Sequence, residues 1–329
     1  MVVRRIAALV GLTLVLGACG ISESSESSVG RSPVSTALAP PEATAIPETI
    51  PTVDDPFPVI VAADNGDIII EQRPEAIVSL SPTATEMLFA VGAGEQVIAV
   101  DEYSSFPSSA PVTDLSGFTP NFEAIASYEP DLVIVSNDIE DLVATLGALD
   151  IQVLVMPAVS TLDGIFDQID EIGMATGHAT EAAQLVEVLA SDLERAVGGL
   201  PTMDEPLTYY HELDPTFYSV TSSTFIGGVY QKLGLVNIAD PADVDGFGYP
   251  QLSVEYIVDS NPDLIFVTDC CGESLDTVST RPGWESISAV QTGSVIVVDD
   301  DIASRWGPRT IEFLSAVAEA VNRAVTAGG

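Results

Sequence analysis

Basic residues are scarce in this chain. Only ten of its 329 residues are lysine or arginine, against 49 aspartates and glutamates, and the formal net charge is −39. Lysine occurs once, at Lys232. A folded body this acidic repels nucleic acid and anionic lipid headgroups, so neither is expected as a partner. Histidine is nearly absent as well, with His178 and His211 the only two. Zinc and manganese sites draw on several imidazole and carboxylate ligands, so a direct metal-ion site is short of donors and none is expected. A Ser-His-Asp arrangement would have to use one of those two imidazoles. No Gly-x-Ser-x-Gly elbow, His-Glu-x-x-His, Gly-x-Gly-x-x-Gly or P-loop pattern occurs. The sequence therefore gives no reason to expect an enzyme. No apolar run approaches the roughly 20 residues that cross a bilayer as a helix.

What is present begins with a leader. Arg4 and Arg5 precede an apolar stretch, Ile6 to Leu16, that is too short to span a membrane. Leu16-Gly17-Ala18-Cys19 follows, and small residues before a cysteine at this place resemble the bacterial lipobox. That resemblance implies a lipoprotein signal peptide over 1–19 with Cys19 as the lipidated residue. The other reading is an ordinary secretory signal with a spare cysteine. Residues 20–58 are rich in Ser, Glu, Pro and Thr without a periodic apolar face, and read as a disordered tether. The expected location is extracytoplasmic, lipid-anchored to the cell membrane and touching it through the anchor only. Two further cysteines, Cys270 and Cys271, are adjacent. Neighbouring Cα atoms sit about 3.8 Å apart, below the usual disulfide range of about 4.4–6.8 Å. They form either a strained vicinal disulfide or two buried thiols.

The body starts with alternating residues around Asp64-Asn65-Gly66-Asp67, a hairpin signal over Val59 to Ile70. Short apolar runs then alternate with helical patterns. Ala76–Leu80, Val97–Val100, Leu132–Val135 and Ile151–Met156 read as buried strands. Leu207–His211, Phe217–Val220, Leu264–Thr268 and Ser294–Val298 read likewise in the second half. Ser81-Pro82 carries an N-cap and a first-position proline for a helix that Gly92 and Gly94 close. Helices are expected near 162–175, 181–197 and 310–325, with Ala182, Leu185, Leu189, Leu193 and Val197 striping the second. Tyr210 and Glu212 should share one strand face and His211 the other.

One pattern recurs. Asn121 to Val135 contains Glu123, Ile125, Pro130, Asp131 and Leu132, and Ser253 to Val267 contains Glu255, Ile257, Pro262, Asp263 and Leu264, each 132 residues later. Each segment reads as a capped short helix, a Pro-Asp turn and a buried strand. The expected fold is α/β, with two similar α/β lobes of mostly parallel sheet joined by one long bridging helix. The lobes should cover 59–176 and 201–329, with 177–200 as the bridge. A cleft between two such lobes binds small molecules.

Ile77-Val-Ser-Leu-Ser-Pro-Thr-Ala-Thr-Glu86 followed by Gly92-Ala-Gly94 resembles the opening motif of the Fe/B12 periplasmic-binding family. The two glutamate segments, Arg281-Pro-Gly-Trp284 and Arg305-Trp-Gly-Pro-Arg309 match the family's later motifs in order, so the resemblance covers about residues 57–325. It implies a class III fold with limited hinge motion, and a solute-binding lipoprotein that serves an ABC importer for corrinoids, ferric siderophores or haem. It also implies that Glu123 and Glu255, one per lobe, dock to arginines of a permease dimer. Near a helix N-terminus either glutamate could equally serve the helix dipole. The chain is expected to be a monomer with no resident cofactor, its cargo a cobalt- or iron-containing complex.

Candidate ligand contacts are Tyr103, Phe106, Phe118, Tyr249 and Trp306, which supply flat area at small entropic cost. Phe118 and Tyr249 precede the two glutamate helices and could face each other across the cleft. Arg281, Arg305 and Arg309 either answer an anionic ligand or pair with some of the many acids. Of these, Arg281 and Arg305 join the candidate contacts. A bulky, near-neutral corrinoid is favoured, then a ferric siderophore, then haem. The other readings are a direct metal-ion binder, an extracellular enzyme, and a surface adhesion or sensor protein.

Overall fold

Each half of the body builds the same sheet. The computed structural model describes residues 56–328. The leader, Cys19 and the tether up to residue 55 lie outside the described residues. The first sheet holds β3 (Ile77–Leu80), β4 (Val97–Val100), β5 (Leu132–Val135) and β6 (Gln152–Val155) in the order β4-β3-β5-β6, all parallel. The second holds β7 (Thr208–Glu212), β8 (Val236–Asn237), β9 (Leu264–Thr268) and β10 (Val295–Val298) in the order β8-β7-β9-β10, again all parallel. Counted within each half, both orders are second, first, third, fourth. β3, β5 and β9 are buried at every position, which is why they read as unbroken apolar runs.

Helices α1 (Pro82–Ala90), α2 (Phe122–Ala126) and α3 (Leu142–Gly147) connect the first four strands. The second half uses α6 (Phe225–Lys232), α7 (Val254–Ser260), α8 (Leu275–Ser279) and α9 (Ser288–Thr292), then α10 (Asp300–Ser304) and α11 (Thr310–Gly328). Between the halves run α4 (Leu162–Thr176) and α5 (Ala179–Gly198). The apolar stripe of α5 packs on α4 and α11, with Ala182, Leu189 and Leu193 buried and Leu185 and Val197 half-buried. No helix among the described residues is long and apolar enough to cross a membrane.

The repeated Pro-Asp has a structural cause. Asp131 accepts from the backbone N–H groups of Glu75 and Ala76 at 2.8 and 3.1 Å. Asp263 accepts from the N–H and the hydroxyl of Thr208, both at 2.8 Å. In each half the aspartate before the third strand holds the start of the first strand. These charge-assisted bonds fix the register of the central pair.

The hairpin β1 (Val59–Val61) and β2 (Ile68–Ile70) does more than turn. Asn65 Nδ2 donates to Val153 O at 2.9 Å and its Oδ1 accepts from Val155 N at 3.1 Å. The turn thereby closes the free edge of β6, a place where unpaired backbone invites association.

One expected strand does not form. Phe217–Val220 makes only an isolated bridge between Tyr218 and Gln251. Phe217 has φ +66°, a left-handed conformation that ends extension. The sheet edge is taken instead by the two residues of β8, too short a run to announce itself by pattern. On β7 the alternation holds: Tyr210 donates to Glu212 at 3.2 Å, while His211 Nδ1 meets the Tyr230 hydroxyl at 2.7 Å on the opposite face. His211 is fully buried, and burial pushes its pKa down to about 3, so it is neutral.

A candidate ligand cavity between the lobes

In both sheets the chain reverses direction of travel between the first and third strands, and crevices open at the carboxyl ends of such strands. A cavity of about 590 Å³ lies there in the N-terminal lobe. Leu80, Ser81, Pro82 and Thr83 come from the end of β3 and the start of α1. Asp101 and Tyr103 follow β4, Gly117 and Phe118 precede α2, and Ser136 and Asn137 follow β5. The C-terminal lobe supplies Asp300, Asp301, Ser304, Arg305 and Trp306 from α10 and the residues after it. The volume falls within the range of small-molecule sites, about 300–1,000 Å³.

Local rules place these groups. Ser81 caps α1 by accepting from Ala84 N at 3.3 Å, so β3 stops at the cavity floor. Gly117 passes directly over that strand end, where a Cβ would lie 2.3 Å from Leu80 O. Only glycine fits this close approach. Phe118 then stands edge-on to Tyr103, with ring centroids 5.7 Å apart at 80°. The two rings are 69% and 52% exposed, which leaves apolar area facing open space. Trp306 is held by its Nε1 donating to Gln168 Oε1 at 3.2 Å.

The cavity is acidic. Asp101 is buried, and burial raises its pKa against the lowering effects of Ser104, the Gly117 N–H and Arg305. Asp300 is raised too, by burial first and then by Asp301, Asp269 and Asp299. Arg305 does not offset this charge for a ligand, because its guanidinium is committed. Its Nη1 donates to Glu86 Oε1 at 2.9 Å, and its Nη2 reaches Tyr103 O at 3.1 Å and Asp301 Oδ1 at 2.6 Å.

Of the seven expected contact residues, the structure brings Tyr103, Phe118, Arg305 and Trp306 to the cavity. Three stand elsewhere. Arg281 grips Glu212 with two bonds of 2.6 and 2.7 Å, pairs with Glu273 at 2.8 Å and lies 4.6 Å from the Trp284 ring. It is an internal tie of the C-terminal lobe. Phe106 is exposed and does not line the cavity; one face of its ring meets Arg309, whose guanidinium carbon sits 4.2 Å from the ring centre. Tyr249 is half-exposed and does not line the cavity opposite Phe118. The lining carboxylates Asp101, Asp300 and Asp301 were not expected. Their only sequence signal was position, each falling just after a strand. The run Tyr209–Asp214 leaves His211 or Tyr210 open as a neighbour of a ligand's metal centre, with a structural role the commoner reading for a lone histidine; both are fully buried, and His211 bonds Tyr230 instead.

Glu123 and Glu255 lie in the first turns of α2 and α7, helices capped alike. Asn121 accepts from Ala124 N at 3.0 Å and Ser253 from Tyr256 N at 3.2 Å. Both carboxylates are exposed and neither makes an ion pair among the described residues. Cys270 is exposed rather than buried, with Sγ 3.2 Å from Thr268 Oγ1. The Cys271 side chain lies outside the described residues. Among the described residues no group of three or more His, Cys, Asp or Glu could hold a metal ion.

Residues 77–302 match the family model described as periplasmic binding protein. The chain belongs to this family. It is 32% identical over 275 residues to YvrC, an uncharacterised ABC transporter substrate-binding lipoprotein of Bacillus subtilis, covering 80% of this chain and 86% of that one. It is 31% identical over 278 residues to a cobalamin-binding protein of Halobacterium salinarum, covering 80% and 74%. Among solved structures it is similar to the periplasmic vitamin B12 binding protein BtuF of Vibrio cholerae. That match has 26% identity and a TM-score of 0.62, and covers 78% of this chain and 98% of that one. This periplasmic binding protein therefore has the class III architecture that its two parallel four-stranded sheets display.

Proposed function

We propose that this protein is a lipid-anchored, extracytoplasmic receptor that captures a corrinoid in the interlobe cavity and delivers it to an ABC permease docked on Glu123 and Glu255. The observation that carries the choice of ligand is the balance of charge on the cavity wall. The lining offers aromatic rings, hydroxyls, an amide and three carboxylates, while its one guanidinium is committed to protein acceptors. An anionic ferric siderophore, or haem with its two propionates, would set negative charge beside Asp101, Asp300 and Asp301 without a free cation to answer it. A corrinoid is a broad, near-neutral or cationic ring fringed with amides. It would use the rings for area and the carboxylates and hydroxyls as acceptors for its amide N–H groups. The similarity to cobalamin-binding relatives supports the same reading.

A thermal-shift panel of cobalamin, cobinamide, haem, ferric siderophores and bare metal ions tests it. A ligand that binds only the folded state stabilises it by about 2.7 kcal/mol at a hundredfold excess over Kd. For a domain of this size that is a shift of several degrees. The corrinoids should raise Tm and the anionic siderophores should not. A shift with siderophores or haem alone would reject the corrinoid and keep the transport role. A shift with bare metals alone would reject the cavity as the site.

A further inference from the structure

The covalent join between the lobes is α5, and beside it α4 packs on α6. A further join is made by side chains of the segment 300–309, which leaves β10 in the C-terminal lobe and returns as α11. Its polar groups bond to the N-terminal lobe. Arg305 donates to Glu86 of α1 and to the Tyr103 carbonyl, and Trp306 donates to Gln168 of α4. Arg309 binds Glu86 Oε2 through Nε at 2.8 Å and Oε1 through Nη2 at 2.5 Å, while its face meets one face of the Phe106 ring. Glu86 is 3% exposed and receives all three guanidinium bonds, from partners 219 and 223 residues away. This segment also forms one wall of the cavity.

We propose that Glu86 is a positioning residue for ligand capture. By chelating Arg305 and Arg309 it holds the 300–306 wall, with Trp306, against the wall that carries Tyr103 and Phe118. Bidentate charge-assisted bonds of this kind fix direction as well as distance. Without the Glu86 charge, two guanidinium groups that are 10% and 14% exposed lose their common partner. Arg305 then keeps only the ion pair with Asp301 of its own segment, and Arg309 keeps no ion pair among the described residues; a buried charge left unpaired is strongly unfavourable. The segment relieves it by swinging toward water, because among the described residues its remaining polar ties to the N-terminal lobe are the Tyr103 carbonyl and Gln168, beside the stacking of Arg309 on Phe106. The cavity then loses a wall. The other buried arginine cluster, Arg281 with Glu212 and Glu273, lies wholly within the C-terminal lobe and has no such leverage. The effect on affinity rests on the corrinoid reading, whereas the effect on the wall does not.

The test uses the full chain as Glu86→Gln and Arg309→Lys, with Glu212→Gln as the comparison. Hydrogen–deuterium exchange is read segment by segment, alongside cobalamin affinity. Amides of 300–307 should exchange at least tenfold faster in Glu86→Gln and Arg309→Lys, with β9 and α8 close to the parent. In Glu212→Gln the segment should stay protected. Cobalamin affinity should fall at least tenfold in the first two variants and hold in the third. Arg309→Lys keeps the charge but not the fork, and carries the test should Glu86→Gln not fold. Unchanged protection of 300–307, or exchange that rises evenly along the whole chain, would overturn the proposal. If the parent protein binds no cobalamin, the corrinoid reading fails and the exchange pattern alone decides the positioning role.

Discussion

Glu123→Arg combined with Glu255→Arg abolishes ligand uptake by cells while leaving the affinity of the purified protein for its ligand unchanged. Both carboxylates are exposed, unpaired among the described residues and absent from the cavity lining. They occupy equivalent places in two sheets of identical strand order, which suits a partner with two equivalent subunits. If the glutamates dock on permease arginines as proposed, reversal sets arginine against arginine at both places, and like-charge juxtaposition costs several kcal/mol per interface. The folded state should tolerate it. A cation in the first turn of an exposed helix costs about 0.3–1 kcal/mol at each site. Single reversals should give intermediate uptake. Cellular uptake of labelled ligand, paired with calorimetry on the purified variants, reads both halves. Full uptake in the double variant would leave the glutamates as helix-terminal carboxylates and favour a sensor or adhesion role.

The second large effect concerns the rings. Phe118→Ala with Trp306→Ala should weaken cobalamin binding about a hundredfold or more, since aromatic anchors at the centre of a site cost about 2 kcal/mol or more when truncated. Tyr249→Ala should change affinity little, because that side chain does not line the cavity. Isothermal titration of the three proteins is the measurement. Equal losses at Phe118 and Tyr249 would mean that the ligand spans a wider cleft than the cavity described.

Much of this was legible before the fold was known, and the reasons are local. Caps, turns and period are written in neighbouring residues, so Ser81-Pro82, Asn65-Gly66 and the buried runs of β3, β5 and β9 were readable. The two Pro-Asp segments exposed the duplication because each aspartate serves the same clamp. What failed to show was of two kinds. Some signals were too short or overridden, as with the two residues of β8 and the left-handed Phe217 that ends its own run. Others depend on partners far apart in sequence. Nothing near Glu86 indicates that its acceptors serve Arg305 and Arg309, and nothing near Arg281 indicates that Glu212 takes it. Arginine, scarce in this chain, invited assignment to a ligand. In a protein with 49 acids, Arg281, Arg305 and Arg309 are bound by the protein's own carboxylates, and that changes the charge a ligand must carry.

The central claim is that a corrinoid lies against the strand ends of the N-terminal lobe with α10 behind it. The crystal structure of the protein grown with saturating cobalamin tests this most directly. The account predicts one corrin ring in the cavity, with Tyr103 and Phe118 on one side, Trp306 on the other and Ser136–Asn137 beneath. A corrinoid bound elsewhere on the molecule, or a cavity left without one at saturating cobalamin, would contradict it.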